Sequence, residues 1–352
     1  MVQAKEILRM IERGEDVKIE NRVIKGDLDI TTLSNMPKEP VKPHPHHIEF
    51  FNYDRDKTVL ANSVKPLIII RNCKMLGSVN LAKAIFHEVV IFKDTMFCGP
   101  VNLNEAIFCK VAQFHGAEFC KDARFQFARF CDEVYFGSDG VNHNNAVFNG
   151  IADFCNSIFK GTSYFPLVRF KQNSLFVFAE FQSTTRFKMA HFSNYISFTS
   201  AKFGKDSDVD FCHAKIDGHA DFSYAIFLGR TDFTKTMFNG DANFSGETTF
   251  YYDADFREAK FKGNATFYST EFKEKLLLRG ADFSRLRMRS WNSIKNKLDC
   301  DGPAYLSLVQ SFKKFEQFDN ADDCYYDYRE WRRKIKDISK EKRSNWSKIY
   351  DF

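Results

Sequence analysis

Large apolar residues recur along most of this chain at intervals of five and six residues. After Phe108 the next such positions are Phe114, Phe119, Phe125 and Phe130, so the intervals run 6, 5, 6 and 5. An amphipathic helix needs apolar residues about every 3.6 positions, and a half-buried strand needs them at every second position. The observed intervals fit neither element. They indicate a chain that turns a corner in every unit and points one large side chain inward each time.

This ladder of inward residues is long and holds 32 of the 40 phenylalanines. Leu103, Ile216 and Leu278 complete it at three positions, and its register extends back to Ile70. The core ladder is predicted to include Phe108, Phe114, Phe119, Phe125, Phe130, Phe154, Phe159, Phe165, Phe170, Phe176, Phe181, Phe187, Phe192, Phe198, Phe222, Phe227, Phe233 and Phe238.

A small or β-branched residue stands two positions before most of the ladder residues, as Ala106 does before Phe108 and Thr185 before Phe187. Residues i and i−2 of an extended chain point to the same side. Each unit therefore directs one large and one small side chain inward. A unit this short buries its phenylalanine only when successive coils stack at about 4.8 Å, which predicts a solenoid.

These units resemble those of the pentapeptide-repeat family. Stretches such as "ANFSGETTF", "ADFSYAIFLGRTDF" and "ADFREAKFKGNATF" carry A-(D/N)-(L/F)-x-x at their centre, and the resemblance covers residues 70–288. It implies an all-β solenoid, a right-handed quadrilateral parallel β-helix in which four units make one coil. Phe in place of Leu at the centre, and a sixth residue in alternate units, depart from the commonest pattern. One coil then takes 22 residues, and we expect about ten coils.

The pattern divides the chain into four segments. We predict an N-terminal helix and first capping coil at 1–33, a Pro/His-rich loop excursion at 34–66, the repeat β-helix at 67–290, and a C-terminal helical hairpin with a basic, aromatic tail at 291–352. The regular step breaks at three places inside the repeat, 137–147, 204–210 and 245–252. We expect one or two extra residues at each, in corner bulges or small loops on the outside of the coil.

The C-terminal segment predicts two helices packed on the last coil. Gly302 and Pro303 are expected to open the first helix, and Asn320 is expected to cap the second. The residues expected to cap the solenoid or contact a partner are Phe312, Phe315, Tyr325, Tyr328, Trp331, Arg332 and Arg333. The same helices are a candidate homodimer seam.

This hairpin is similar to one in pentapeptide-repeat proteins that continue into an ion-channel-like pore domain. Residues 329–343 contain eight Lys or Arg against three acids, and Trp346 and Tyr350 follow them. Basic residues next to Trp and Tyr are typical of segments beside a membrane span. We therefore hypothesise that the chain is the cytoplasmic part of a membrane protein, with membrane contact only through a segment beyond Phe352.

Charge and cysteine content narrow the function further. The net charge of +5 is mild for 352 residues, and nucleic-acid binding usually requires concentrated Lys and Arg, so we expect no direct nucleic-acid contact. No stretch approaches 18 apolar residues, and the N-terminus lacks the apolar core of a signal peptide. Nine cysteines without a secretion signal favour reduced thiols and a cytoplasmic location.

Four cysteines recur every 11 residues, at Cys98, Cys109, Cys120 and Cys131. In a 22-residue coil Cys98 stacks on Cys120 and Cys109 on Cys131, which permits a thiolate metal pair or a redox couple. The alternative is a small residue that recurs because the repeat was duplicated. We favour the alternative, because stacked sulfurs offer two ligands per site and structural zinc takes four.

Three histidines lie close together in the Pro-rich stretch "KPHPHH", at His44, His46 and His47. They are a second candidate metal site. No fourth ligand is near them in the sequence, so we favour loop residues without a metal.

No phosphate-binding glycine loop, H-E-x-x-H or G-x-S-x-G motif occurs in the sequence. We therefore expect a non-enzymatic protein without a cofactor, a rigid scaffold that binds an unknown protein partner. The alternative function is that of a DNA mimic that inhibits or protects a type II topoisomerase, an activity known in the family. Residues 66–290 contain 27 basic and 24 acidic residues, so mimicry would require the acids to be confined to one face.

Overall fold

The computed structural model describes the backbone of residues 1–44, 58–138, 144–205, 208–283 and 285–350, and the side chains of those residues up to 336. Over most of this length the chain forms a parallel β-solenoid with four faces. We number the faces 1 to 4 in the order in which the chain visits them. Residues one coil apart pair with each other, as Phe97 does with Phe119 on face 1 and Phe108 with Phe130 on face 3. The predicted solenoid is therefore confirmed.

The strands of each face lie in parallel register, apart from one antiparallel pair on face 3. Face 1 consists of Val2–Gln3, Val23–Lys25, Lys74–Met75, Met96–Phe97, Glu118–Phe119, Val147–Phe148, Arg169–Phe170, His191–Phe192, Lys215–Ile216, Met237–Phe238, Lys260–Phe261 and Asp282–Phe283. Face 2 consists of Leu28–Asp29, Val79–Asn80, Val101–Asn102, Ala123–Arg124, Ala152–Asp153, Ser174–Leu175, Ile196–Ser197, Ala220–Asp221, Ala242–Asn243, Ala265–Phe267 and Leu286–Met288. Face 3 consists of Lys38–Val41, Val59–Val64, Ala84–Phe86, Ile107–Phe108, Arg129–Phe130, Ile158–Phe159, Glu180–Phe181, Lys202–Phe203, Ile226–Phe227, Thr249–Phe250 and Glu271–Phe272. Face 4 consists of Val17–Glu20, Ile68–Arg71, Val90–Ile91, Ala112–Gln113, Val134–Tyr135, Ser163–Tyr164, Thr185–Arg186, Val209–Asp210, Thr231–Asp232, Ala254–Asp255, Leu276–Leu277 and Leu298–Asp299.

The two unit lengths correspond to two kinds of corner. Five-residue steps turn the chain from face 2 to face 3 and from face 4 to face 1. In these corners the second residue after the ladder residue has a left-handed backbone conformation, as Phe127 and Met189 do with φ of 56°. A hydrogen bond closes most of these corners, for example from Ala190 N–H to Phe187 O at 2.9 Å. Between residues 70 and 283, the described corners that lead from face 1 to face 2 and from face 3 to face 4 contain no left-handed residue. A left-handed residue thus tightens the corner, so that the step takes five residues instead of six.

The coil number exceeds the ten that the sequence predicted, because faces 1 and 4 each carry 12 strands. The additional coils lie at both ends of the solenoid. The strand Val17–Glu20 pairs directly with Ile68–Arg71, so the predicted first coil stacks on the main solenoid. At the other end, Leu298–Asp299 pairs with Leu276–Leu277 beyond the last predicted ladder position.

The insertion at 137–147 is larger than predicted. Phe148 pairs with Phe119, 29 positions earlier, whereas partners elsewhere are typically 22 apart. Seven extra residues therefore enter a single corner between faces 4 and 1, where we expected one or two. The breaks at 204–210 and 245–252 match the expectation, because Asp210 pairs with Arg186 and Thr249 with Ile226, which leaves two and one extra residues.

Helix α1 (Ala4–Glu12) covers the N-terminal end of the solenoid. Its buried residues Ala4, Ile7, Leu8 and Ile11 belong to the same apolar core as the ladder. A charge-bearing N-terminal helix that caps the first coil agrees with the sequence prediction. The exposed edge of that coil is therefore shielded from water and from further strand pairing.

The predicted loop excursion contains two strands in its described residues. Lys38–Val41 pairs antiparallel with Val59–Val64, and the latter joins face 3 by pairing with Ala84–Phe86. This strand pair covers two outward apolar side chains of face 3, Ile85 and Ile107, which are 3% and 8% exposed. The excursion therefore adds a small second core outside the solenoid.

Two helices follow the last coil, α2 (Gly302–Lys314) and α3 (Phe318–Tyr350). The predicted hairpin is confirmed, but α3 begins two residues before Asn320. The Asn320 side chain instead accepts a hydrogen bond from the backbone N–H of Trp291. Among the described residues, no helix combines the length and apolarity needed to cross a bilayer.

Candidate functional site

The interior of the solenoid is filled by aromatic rings. Along face 1, Phe170 and Phe192 stack at 4.9 Å between ring centroids and only 2° from parallel. Across the interior, rings from the opposite faces 2 and 4 meet edge to face, as Phe165 and Phe176 do at 5.8 Å and 88°. The ladder residues predicted from the sequence are all at most 4% exposed. Binding or catalysis must therefore take place on the exterior or at the ends.

The C-terminal hairpin builds the most aromatic exterior surface. Asp301 caps α2 by accepting a hydrogen bond from Ala304 N–H at 3.0 Å, and Pro303 occupies its first turn. Tyr305 of α2 then contacts both aromatic residues of α3 that face it, with ring centroids 6.0 Å from Tyr328 and 5.7 Å from Trp331. These contacts fix the two helices against each other.

Trp291 joins this hairpin to the solenoid, and the sequence analysis did not single it out. Its side chain is 1% exposed, its indole Nε1–H donates to Asp327 Oδ2 at 2.7 Å, and its ring packs edge to face on Phe312. The signal available in the sequence was a lone tryptophan just after the last ladder position. Its aromatic ring lies outside the five- and six-residue register, so the repeat pattern gives it no role.

The cap and partner candidates named from the sequence fall into three groups. Phe312 is buried; Phe315, Tyr328 and Trp331 are half-buried; Tyr325, Arg332 and Arg333 are exposed. Two exposed residues of α3 were missed, Phe318 at 61% and Tyr326 at 65%. We define the hairpin surface as Phe318, Tyr325, Tyr326, Arg332 and Arg333.

A second aromatic row lies on the outside of face 4. Tyr135 stacks on Tyr164 at 4.4 Å and 3°, His115 stacks on Tyr135 at 5.2 Å, and the guanidinium of Arg186 lies 5.6 Å from the centre of the Tyr164 ring. Cross-strand aromatic and cation–π contacts of this kind stabilise a sheet. The row is also a flat surface rich in residue types that carry binding energy at interfaces.

Acidic residues form a row farther along face 4. Asp210, Asp232 and Asp255 are in direct register with one another. Basic side chains lie beside this row: Arg257 donates to both oxygens of Asp255, at 2.9 and 3.0 Å from its Nε. The row is therefore partly neutralised and does not present a bare stripe of negative charge.

The four cysteines at 11-residue intervals stack in two pairs. The backbone N–H groups of Cys120 and Cys131 bond to the residues immediately before Cys98 and Cys109. Burial raises the pKa of both the Cys109 and the Cys120 thiols. A raised pKa disfavours the thiolate that metal binding and redox exchange require. We keep the interpretation of a repeated small residue.

Among the described residues, one group of potential metal ligands lies close together, and it was not predicted. Ligand atoms of Asp210, Cys212 and Asp232 lie within 4.8 Å of one another. Asp210 Oδ1 also accepts the Cys212 backbone N–H at 2.8 Å, and burial raises the pKa of the Cys212 thiol. These are structural reasons for the proximity, so we assign no metal to this group.

One of the three histidine candidates, His44, lies within the described residues. His46 and His47 lie outside the described residues. His44 is 3% exposed, and its ring packs edge to face against Phe127 at 5.4 Å. His44 also lines a cavity between the strand pair and face 3.

Comparison with known proteins gives one match. Residues 246–292 match a protein-family model described as pentapeptide repeats (9 copies). This segment holds the corner with one extra residue and the last regular ladder positions, and its coils have the same four-faced geometry as those before it. No curated protein and no solved structure matches the chain.

Proposed function

Because the chain is a pentapeptide-repeat solenoid, we propose that it serves as a rigid, non-enzymatic scaffold that binds a protein partner on its exterior. The observation that carries this proposal is the interior packed with aromatic rings from face to face, as between Phe165 and Phe176. A closed, stacked interior leaves no room for a substrate there. What remains is a long, regular surface, which solenoids use to bind by shape and charge pattern.

We assign the principal contact to the hairpin surface. Tyr325 is 46% and Tyr326 65% exposed, while Tyr328 beneath them is held by ring contacts to Tyr305 and Trp331. Rigid aromatic and arginine side chains contribute most of the binding energy at protein interfaces. Arg332 and Arg333 lie one to two turns farther along the helix, so a partner with an acidic rim around an apolar patch fits this surface best.

A finer version places the scaffold beside a membrane, in the cytoplasm, as part of a larger channel-like protein. It rests on the basic segment at 329–343 and on the free thiols of all nine cysteines. The nucleotide sequence downstream of the codon for Phe352 tests this version directly. An apolar segment of about 20 residues there supports it, and a stop codon removes it.

The scaffold proposal is tested by site-specific photocrosslinking in the host cell. A photoreactive amino acid at Tyr326 should give a discrete adduct, whereas one at Tyr224, which is also exposed but lies in a corner of the rod, should not. The protein in the adduct, once purified, should bind the full chain, and its affinity should fall about tenfold or more in Tyr325→Ser/Tyr326→Ser.

Light scattering measures the oligomeric state of the full chain and so shows whether the partner is a second copy of this chain. A dimer that dissociates in the double serine variant would assign the hairpin surface to self-association. If neither Tyr326 nor any outward position of the aromatic row on face 4 gives a discrete adduct, the scaffold proposal fails.

A further inference from the structure

A cavity of about 300 Å³ lies outside the solenoid, between the strand pair of the excursion and face 3. Among the described residues, its walls include Val59, Leu60, Lys83, Glu105, Phe127 and Arg129. Its volume falls at the lower end of the range typical of small-molecule pockets. The cavity exists because the strand pair bridges over the corner between faces 2 and 3 instead of packing flat against it.

Arg129 is the unusual group in this wall. Its Nη2 donates to the backbone oxygen of Lys42 at 2.9 Å, but its buried Nε has no hydrogen-bond partner among the described residues. Burial lowers the pKa of Arg129. Arg129 therefore brings a partly buried positive charge, without an ion-paired carboxylate among the described residues, to the wall of this cavity, so an anion is the natural complement.

The acid in the wall does not fill that role. Glu105 is engaged by Lys83, with 3.6 Å between its Oε1 and the lysine Nζ. Among the described residues, Arg129 makes no ion pair within 4.0 Å. The Lys83–Glu105 pair is neutral as a unit, so this wall carries one net positive charge, that of Arg129.

The remaining walls are mostly apolar. Leu60 and Val59, at 65% and 36% exposure, form the rim, and the ring of Phe127 lies behind them against His44. Phe127 occupies a left-handed corner position, which directs its side chain outward from the solenoid. An apolar body would contact these side chains while an anionic head reached Arg129.

We propose that this cavity binds a small carboxylic acid with an apolar body, its carboxylate held by Arg129. A planar carboxylate matches the guanidinium fork, and its one negative charge balances the one positive charge of Arg129. A phosphate dianion fits less well, because that single positive charge balances only one of its two negative charges. This site is separate from the hairpin surface and from the scaffold function.

The experiment uses the full-length protein and four probes of similar size: phenylacetate, phenylacetamide, phenethylamine and phenylphosphonate. Ligand-observed NMR and calorimetry should show phenylacetate binding at millimolar concentration and no binding of the neutral amide or the amine. Arg129→Gln should weaken phenylacetate binding about tenfold or more, because the variant loses a charge-assisted pair with the carboxylate.

Arg124→Gln is the matched control, since Arg124 is an exposed arginine five positions earlier on face 2. It should leave phenylacetate binding unchanged. The melting temperature of Arg129→Gln should equal or exceed that of the parent, because the variant removes a partly buried charge that has no ion pair among the described residues. The proposal is overturned if phenylacetate does not bind, if the amide or phenylphosphonate binds as well as phenylacetate, or if Arg129→Gln binds phenylacetate normally.

Discussion

Trp291 and Asp327 hold the C-terminal hairpin to the solenoid through a hydrogen bond of 2.7 Å from the indole Nε1–H to the carboxylate Oδ2. The backbone N–H of Trp291 donates in addition to Asn320 Oδ1 at 2.9 Å. Two side chains of α3 thus converge on one buried residue of the last coil. This contact sets the orientation of the helix that carries the hairpin surface.

Asp327→Ala should loosen the hairpin without unfolding the solenoid. The substitution leaves the buried indole N–H without an acceptor, which costs about 1–3 kcal/mol. Because solenoid coils depend mainly on their neighbours, the loss should remain local. Hydrogen exchange of α2 and α3 should accelerate about tenfold or more, while exchange at the central coils stays unchanged.

Asp323→Ala provides the control for this variant, since Asp323 is exposed and lies one turn earlier on the same helix. Equal acceleration of exchange in both variants would show that the Trp291 hydrogen bond does not hold the hairpin.

Phe192→Ala should destabilise the middle of the solenoid by about 3–5 kcal/mol by opening a cavity. Phe192 is fully buried, stacks on Phe170 and pairs with Ile216 in the next coil. Arg169→Ala should change stability by less than about 0.5 kcal/mol, because that side chain is exposed on the same face. Denaturant unfolding measures both, and similar losses would contradict the assignment of inward and outward positions.

The neighbouring residue His191 is a poorer control, because its Nε2 lies 2.7 Å from Asp217 Oδ2. Hydrogen bonds of this kind join outward residues on successive coils. The spacing of the apolar residues predicts which side chains point inward, because these must be buried. A contact between two outward side chains depends instead on rotamers that the repeat does not specify.

The same distinction explains the rest of what the sequence could and could not predict. The ladder and both end caps follow from where apolar residues must be buried, and the four faces follow from the resemblance to the pentapeptide-repeat family. Phe148 lies 12 positions after Phe136, and this spacing fits two steps with one extra residue as well as one step with seven extra residues. An outside loop leaves the core unchanged, so burial cannot decide between the two. Trp291 and the strand pair over face 3 likewise lie outside the repeat.

Met189→Gly should stabilise the protein by an amount on the order of 1 kcal/mol. Met189 is left-handed at φ 56° and 49% exposed, so glycine relieves backbone strain and loses little buried area. Lys202→Gly, at an exposed strand position, should instead destabilise by about 0.5–1 kcal/mol. Thermal unfolding under identical conditions compares the two, and a loss in both would mean that the corner carries no strain.

The protein should not inhibit a type II topoisomerase as a DNA mimic. Mimicry needs an uncovered row of negative charge, and the acidic row on face 4 has arginines beside it, with Arg257 donating to Asp255 and Arg279 to Asp299 at 2.6 Å. A gyrase supercoiling assay with excess protein should therefore show normal activity. Inhibition that disappears in Asp232→Asn/Asp255→Asn would reverse this expectation and restore the mimic function.

Asp217 should make the solenoid sensitive to acid over a defined range. Burial raises the pKa of this carboxyl, but hydrogen bonds from His191, Lys215 and Asn239 outweigh that effect and lower the pKa from 3.8 to about 2. A carboxyl whose folded-state pKa is depressed contributes stability above its unfolded value, and this contribution disappears as the pH falls through the folded value. Asp217→Asn should therefore be less stable than the parent at neutral pH, by an amount on the order of 1 kcal/mol. The gap should close as the pH falls from about 4 to about 2.

Thermal unfolding of the parent, Asp217→Asn and Asp282→Asn across this range provides the measurement. Asp282 lies on the same face with an exposed side chain, so its variant should follow the parent at every pH. A gap between the parent and Asp217→Asn that stayed constant down to pH of about 2 would mean that Asp217 stabilises the protein by packing, because only an ionised acceptor loses its hydrogen bonds through protonation.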